Sequence, residues 1–168
     1  TLAVQAAALG LQVHQISDLN EDCKKIYFKI MRIKTSNLQS TLFPAGVYVV
    51  NFVPNTLTTY EKQNGWHLLF DGKTSNGWIG AYKKTFPEIE WVIIDGTITV
   101  LASQGKEGGN GGDIVTTGEY KSFDLSFEFK LTPGANSGVK YFVTLSENNT
   151  GAAIGLGYQV LDDSLHPD

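Results

Sequence analysis

Three carboxylates and an imidazole, Asp162, Asp163, Asp168 and His166, fall within seven residues near the end of a 168-residue chain. Side chains of these types can supply a general base, a metal cage or a partner for a developing oxyanion. They follow Tyr158-Gln-Val-Leu161, an aromatic, β-branched and apolar run opened by glycine, which reads as a short strand. Strand periodicity sets Gln159, Leu161 and, if the strand continues, Asp163 on one face. Tyr158, Val160 and Asp162 take the other. Pro167 keeps the following loop out of a helix and biases His166 toward extended backbone. The same residues also suit a solvated acidic turn that closes a strand, as charged loops commonly are. Spacing alone leaves both readings open.

The rest of the chain must provide the scaffold. Its length suffices for one domain with a sizeable core, or for one domain and an appendage. With 18 Gly, 11% aromatic and only 18% charged residues, the composition favours sheets joined by tight turns. A net charge of -4 without a long basic run argues against nucleic acid and against an anionic membrane surface. No stretch approaches the ~20 continuous apolar residues of a membrane span. The single Cys23 excludes an intramolecular disulfide and a multi-cysteine metal site.

In chain order, Leu2, Ala3, Ala6 and Leu9 fall at helical spacing, predicting a helix over 1–10 that stops at Gly10. Leu11 to Ile16 reads as a strand. A second helix is predicted from Glu21 to Phe28, capped by Asp18 or Asn20, with acids first and lysines later. Met31-Arg-Ile-Lys34 followed by an apolar patch from Leu42 to Val53 has the order of a secretion signal, but Pro44, Gly46 and Asn51 interrupt it. Met31 is accordingly a candidate natural start, with residues 1–30 as read-through.

From Thr56 the texture changes. A short helix is expected from Leu57 to Lys62, capped by Thr56 and ended by Gly65. Strands are expected at Trp66 to Phe70, Asp113 to Thr116, Phe123 to Leu131 and Val139 to Leu145. Trp91-Val-Ile-Ile94 and Thr97-Ile-Thr-Val100, joined by Asp95-Gly96, form the pattern of a two-residue hairpin. Phe123, Leu125, Phe127 and Phe129 alternate with Asp124, Ser126, Glu128 and Lys130, giving one apolar and one polar face. Gly105 to Gly112 is a loop without the Lys-Ser/Thr ending of a phosphate-binding loop. No βαβ alternation follows residue 65, so the expected class is all-β, an antiparallel sandwich or jelly roll.

Two resemblances follow from these blocks. Residues 1–30, from Thr1 through Gln15 and the acidic helix after it, resemble an internal piece of the flavin-dependent nitroreductase family without a complete flavin site, which leaves His14 as a structural residue. Residues 56–168 resemble the 3-keto-disaccharide hydrolase domain family. The matching blocks are Gly65 to Trp78, Trp91 to Gly96, Gly111 to Thr116, Phe123 to Lys130, Asn136 to Val139, and Tyr158 to Asp163 with His166 to Asp168. The resemblance implies a concanavalin A-like sandwich over 56–168, with 1–55 an α-containing appendage outside its core. It also implies further strands past Asp168, so the sandwich is expected to be incomplete at that end, with open edges prone to self-association. One departure concerns chemistry: the family's last block carries an acid two positions before the glutamine, and here that position is Gly157.

The implied chemistry starts from a ketone at C3 of a sugar. The ketone acidifies the C2 proton, a base removes it, the C1 substituent leaves and water adds back. On this reading Asp163 or His166 is the base, with Asp162 and Glu128 as further acids that could reach the cleft. Gln159 orients substrate, and Lys140 or a divalent metal ion partners the enolate oxygen. No cofactor is specified by the residues. The alternative is a non-catalytic carbohydrate-binding module in which Trp78, Tyr82, Tyr158 and Asn136 hold a sugar, Trp66 and Trp91 being core. A plain glucanase would need paired acids ~5–9 Å apart, and no such pair is evident. The partner is a saccharide in either of the first two readings, and the family implies a bacterial protein in the periplasm or outside the cell.

Overall fold

The computed structural model describes residues 2–3, 6–15, 25–35, 53–102, 111–145 and 153–165. These form eleven strands and one short helix: β1 (Leu2–Ala3), β2 (Ala6–Gln15), β3 (Lys25–Thr35), α1 (Thr59–Gln63), β4 (Trp66–Leu68), β5 (Trp78–Gly80), β6 (Trp91–Ile94), β7 (Thr97–Leu101), β8 (Ile114–Thr116), β9 (Tyr120–Leu131), β10 (Asn136–Thr144) and β11 (Ile154–Leu161). One sheet runs β11-β10-β1-β8-β5, and the other runs β2-β9-β3-β7-β6 with β4 paired to β3.

The alternation on β9 explains why two sheets stack. Phe123, Leu125 and Phe127 are all but inaccessible, and they share one core with Trp91 and Ile98 of their own sheet and with Trp78, Ile114 and Val139 of the other. Removing each such side chain from water contributes about 1.5–3 kcal/mol, so the two inner faces hold together as a sandwich. The fold is all-β, as the sequence predicts.

Turn chemistry fixes the registers. Asp95 and Gly96 have φ of 49° and 72°, the doubly positive pair of a type I′ turn, and Ile94 faces Thr97 across it. Asn55 donates from Nδ2 to the Gly96 carbonyl at 2.9 Å, closing the hairpin tip from outside. Thr132 to Ala135 forms a second turn, closed by the Ala135 N–H on the Thr132 carbonyl at 2.9 Å, with Gly134 at φ 72°. Helix α1 carries a capping box between Thr58 and Glu61. The cap is therefore Thr58 and not the expected Thr56, because only Thr58 has a glutamate three residues on. Gly65, at φ 79°, follows the helix as expected.

The first 35 residues differ from the prediction in part. Where described, residues 2–10 are strand and not helix, the strand expected from Leu11 is present through Gln15, and the predicted helix ending at Phe28 is replaced from Lys25 onward by β3. Alanine and leucine at helical spacing also present a usable strand face once a neighbouring ladder satisfies the backbone. The ladder is there: β2 pairs with β9, and β3 with β4, β7 and β9. Nor is the sandwich wholly antiparallel. β1 runs parallel to β8 and β10, and β2 parallel to β9. His14 stands opposite Glu128 in that last ladder. Cys23, Asp18, Asn20 and, apart from Val53 itself, the apolar patch from Leu42 to Val53 lie outside the described residues. Among the described residues no helix is long and apolar enough to cross a membrane.

The segment read as an appendage thus contributes ladders, and a deletion tests how much the sandwich depends on them. A chain beginning at Asn55 would leave β7 and β9 without the strand between them. Reduced sheet content by circular dichroism and a broader urea transition are the expected outcome. An unchanged spectrum and midpoint would return residues 1–55 to the role of an appendage.

Candidate functional site

The antiparallel pairing of β10 with β11 sets Asn136 opposite Leu161, Gly138 opposite Gln159 and Lys140 opposite Gly157. Directly opposed residues share a face. Asn136, Lys140, Gly157 and Gln159 are therefore brought onto one surface, turned away from the core that takes Val139 and Val160. On it Gln159 Nε2 donates to Asn136 Oδ1, a pair of amides linked across the two strands. Two glycines give this face its shape. A Cβ at Gly138 would lie 2.9 Å from the Tyr158 carbonyl, so glycine is required for the strands to approach. A Cβ at Gly157 would meet nothing within 4 Å. That position is open space beside Lys140.

Lys140 is the anchored cation of the site. Its Nζ donates to Asp113 Oδ2 at 2.8 Å and to the Ala153 carbonyl at 2.9 Å, and the Ala153 N–H donates to the same Asp113 oxygen at 2.9 Å. The Asp113 side chain is 4% exposed and that of Lys140 24%. Burial alone would raise Asp113, but the positive charge and donors around it outweigh this, Lys140 Nζ and the Ala153 N–H among them, and hold it below the ordinary 3.8. Sequence reading missed Asp113 because its partner lies 27 positions away, in another strand. The one local signal was an acid leading directly into the apolar strand Ile114–Thr116.

The other expected residues fall elsewhere. Asp162 is a turn brace: Oδ2 accepts the Gly134 N–H at 2.9 Å, and Oδ1 accepts the Ser164 N–H at 3.2 Å and hydroxyl at 2.6 Å. Both oxygens thus tie the turn after β11 to Gly134 and Ser164. Asp163 is exposed, but β11 ends at Leu161 and the chain turns, with the Leu165 N–H on the Asp162 carbonyl. The strand periodicity that would place Asp163 beside Gln159 stops short of it. His166 and Asp168 lie outside the described residues.

Glu128 does not reach this surface. Its neighbour Phe127 points inward and meets Tyr158 edge to face, ring centroids 6.5 Å apart. Glu128 and Gln159, each one residue on, must then look out from opposite sides of the sandwich. The same contact turns Tyr158 away from the amide pair. Trp78, offered as a sugar-stacking ring, is 2% exposed and donates Nε1 to the Leu69 carbonyl at 2.7 Å, so it belongs to the core. Tyr82 packs on a second small cluster with Ala81, Val115 and Ala153. Trp91 is core, as expected, and Trp66 is half-buried. Among the described residues no group of three or more His, Cys, Asp or Glu side chains is placed to hold a metal ion.

The Asp113 shift gives a signed prediction. A folded-state value below the unfolded one contributes stability that is complete above the ordinary 3.8 and lost as pH falls through the folded value. Asp113→Asn should lower stability near neutral pH by about 2–3 kcal/mol, with the difference from the parent chain closing on acidification. Urea midpoints measured against pH check this. A difference that stays constant into strong acid would contradict the ion pair.

A family model described as a 3-keto-alpha-glucoside-1,2-lyase-like domain matches residues 65–168. A protein of Bacteroides thetaiotaomicron named 3-keto-disaccharide hydrolase is 38% identical over 116 residues, covering 62% of this chain. The chain spans 40% of the length of that relative. With the family model matched over more than half of its residues, the chain belongs to the family of 3-keto-alpha-glucoside-1,2-lyase-like domains.

Proposed function

We propose that the β10–β11 face binds a 3-keto-glycoside and promotes its cleavage by elimination and hydration. The observation that carries this is the gathering of the Asn136–Gln159 amide pair and the Lys140 ammonium on one face of a chain of this family. A base takes the proton from C2, and the C–H electrons form the enolate, C2=C3–O⁻. The enolate electrons return to restore the C3 ketone, a C1=C2 double bond forms, and the C1–O bond breaks with its pair on the departing oxygen, which takes up a proton. Water then adds at C1 and a proton returns to C2, so the net reaction is hydrolysis without oxidation or reduction. Gln159 and Asn136 orient the sugar hydroxyls. Lys140 donates to the enolate oxygen, where a preorganised cation is worth most. Asp163 or His166 takes the C2 proton.

Gly157 bears on rate. It stands opposite Lys140, where the family carries an acid, and the space beside it is open. Without that carboxylate the chain is expected to turn over slowly. The same feature favours a second reading, a sugar-binding face that holds substrate through amides without cleaving it. The family also carries the expectation of a bacterial protein in the periplasm or outside the cell. Recovery of the native protein only in the cytosolic fraction would contradict that placement.

Turnover of a 3-keto-glucoside, measured beside the corresponding glucoside, separates the two readings. The ketone should be cleaved and the glucoside not. A Cβ at position 157 meets no neighbour, so Gly157→Glu should raise kcat/KM by at least ~10-fold, whereas Asp163→Asn or His166→Ala should each lower kcat by roughly 10²-fold if that residue is the base. Binding of the ketone without cleavage by both the parent chain and Gly157→Glu would leave the sugar-binding reading in place.

A further inference from the structure

The buried ion pair behind the face has a use beyond stability. We propose that Asp113 is a positioning residue for Lys140, fixing its ammonium so that one N–H is left to meet the enolate oxygen. This rests on the elimination reading above.

The geometry is specific. A lysine ammonium has three N–H donors on a flexible four-carbon stem. Here one goes to Asp113 Oδ2 at 2.8 Å and one to the Ala153 carbonyl at 2.9 Å. Two anchors at such distances locate the nitrogen and define the direction of the third donor. Ala153 is clamped by both its backbone groups, its N–H on Asp113 and its carbonyl on Lys140. The anchor therefore belongs to a closed ring of hydrogen bonds, and it cannot swing with the lysine. Asp113 sits at the start of β8, where the backbone holds it in turn: its carbonyl accepts the Ala81 N–H at 2.8 Å. The lysine stem lies on β10 opposite Gly157, and its ammonium reaches across the sheet to the residue that leads into β8. A counter-charge also offsets the cost of holding an ammonium on a partly buried face. A lysine that served only as a surface charge would need neither anchor.

The alternative is a purely structural clip joining β8, β10 and Ala153. A double-mutant cycle on the full chain separates the two, with 4-nitrophenyl 3-keto-α-glucoside as substrate and Asp113→Asn, Lys140→Met and the double variant compared in both the parent and Gly157→Glu backgrounds. Urea titration first establishes conditions in which every variant is folded. A positioning role predicts that Asp113→Asn lowers kcat by at least ~10-fold with KM little changed, because the lost alignment matters at the enolate. It also predicts that Asp113→Asn adds no further loss once Lys140 is methionine. A structural clip predicts independent, multiplicative losses, or a change confined to KM. Either of these results overturns the inference while leaving the elimination reading intact, as does full activity in Lys140→Met. Absence of turnover in both parent backgrounds overturns the elimination reading and the inference with it.

Discussion

The packing of β9 against the facing sheet is the constraint from which the rest follows. Phe123, Leu125 and Phe127 enter a core shared with Trp78, Ile114 and Val139, and a strand that commits those residues inward commits the alternate ones outward. The edge-to-face meeting of Phe127 with Tyr158 extends the constraint to the last strand. It decides that Gln159 and Glu128 occupy opposite surfaces, and that the Tyr158 ring is turned away from the amides. Site composition here is a consequence of core packing.

On the outward face of β10 and β11 the balance is electrostatic. Lys140 is held by a carboxylate that is itself buried and by a backbone carbonyl. Breaking such a pair costs more than the pair is worth as a contact, because the remaining charge loses its partner in a poorly solvated place. The proposed chemistry asks for the same property, a cation that does not reorganise when negative charge develops. Gly157 beside it is the point where stability and function separate. Glycine there leaves open space and satisfies no packing need, whereas Gly138 across the ladder is required by a close backbone approach.

Legibility in the sequence followed how local the determining physics was. Asp95-Gly96 specified its hairpin because a type I′ turn needs positive φ at both central positions, which glycine adopts freely and aspartate tolerates. The β9 face was readable because period two is visible without a partner. The family blocks were readable for their order, and the 65–168 match agrees with them. What failed depended on distant partners. Leu2 to Gly10 carries an apolar spacing that suits a helix or a strand, and the ladders with β8, β9 and β10 decide between them. Trp78 sits after a polar loop and looked exposed, but its indole N–H reaches back to Leu69. Strand periodicity set Asp162 and Asp163 on opposite faces, but the strand ends at Leu161 and a turn held by Asp162 follows. Asp113 showed only as an acid leading into a strand, and its role depends on Lys140, 27 positions away.

The most direct test of the proposed elimination is hydrolysis of a 3-keto-glucoside in D₂O, with the product followed by NMR and corrected for exchange without protein. Proton abstraction at C2 predicts solvent deuterium at C2 of the released 3-keto-sugar, appearing in step with the leaving group. Release of the leaving group with hydrogen retained at C2 would contradict elimination and point to direct displacement at C1.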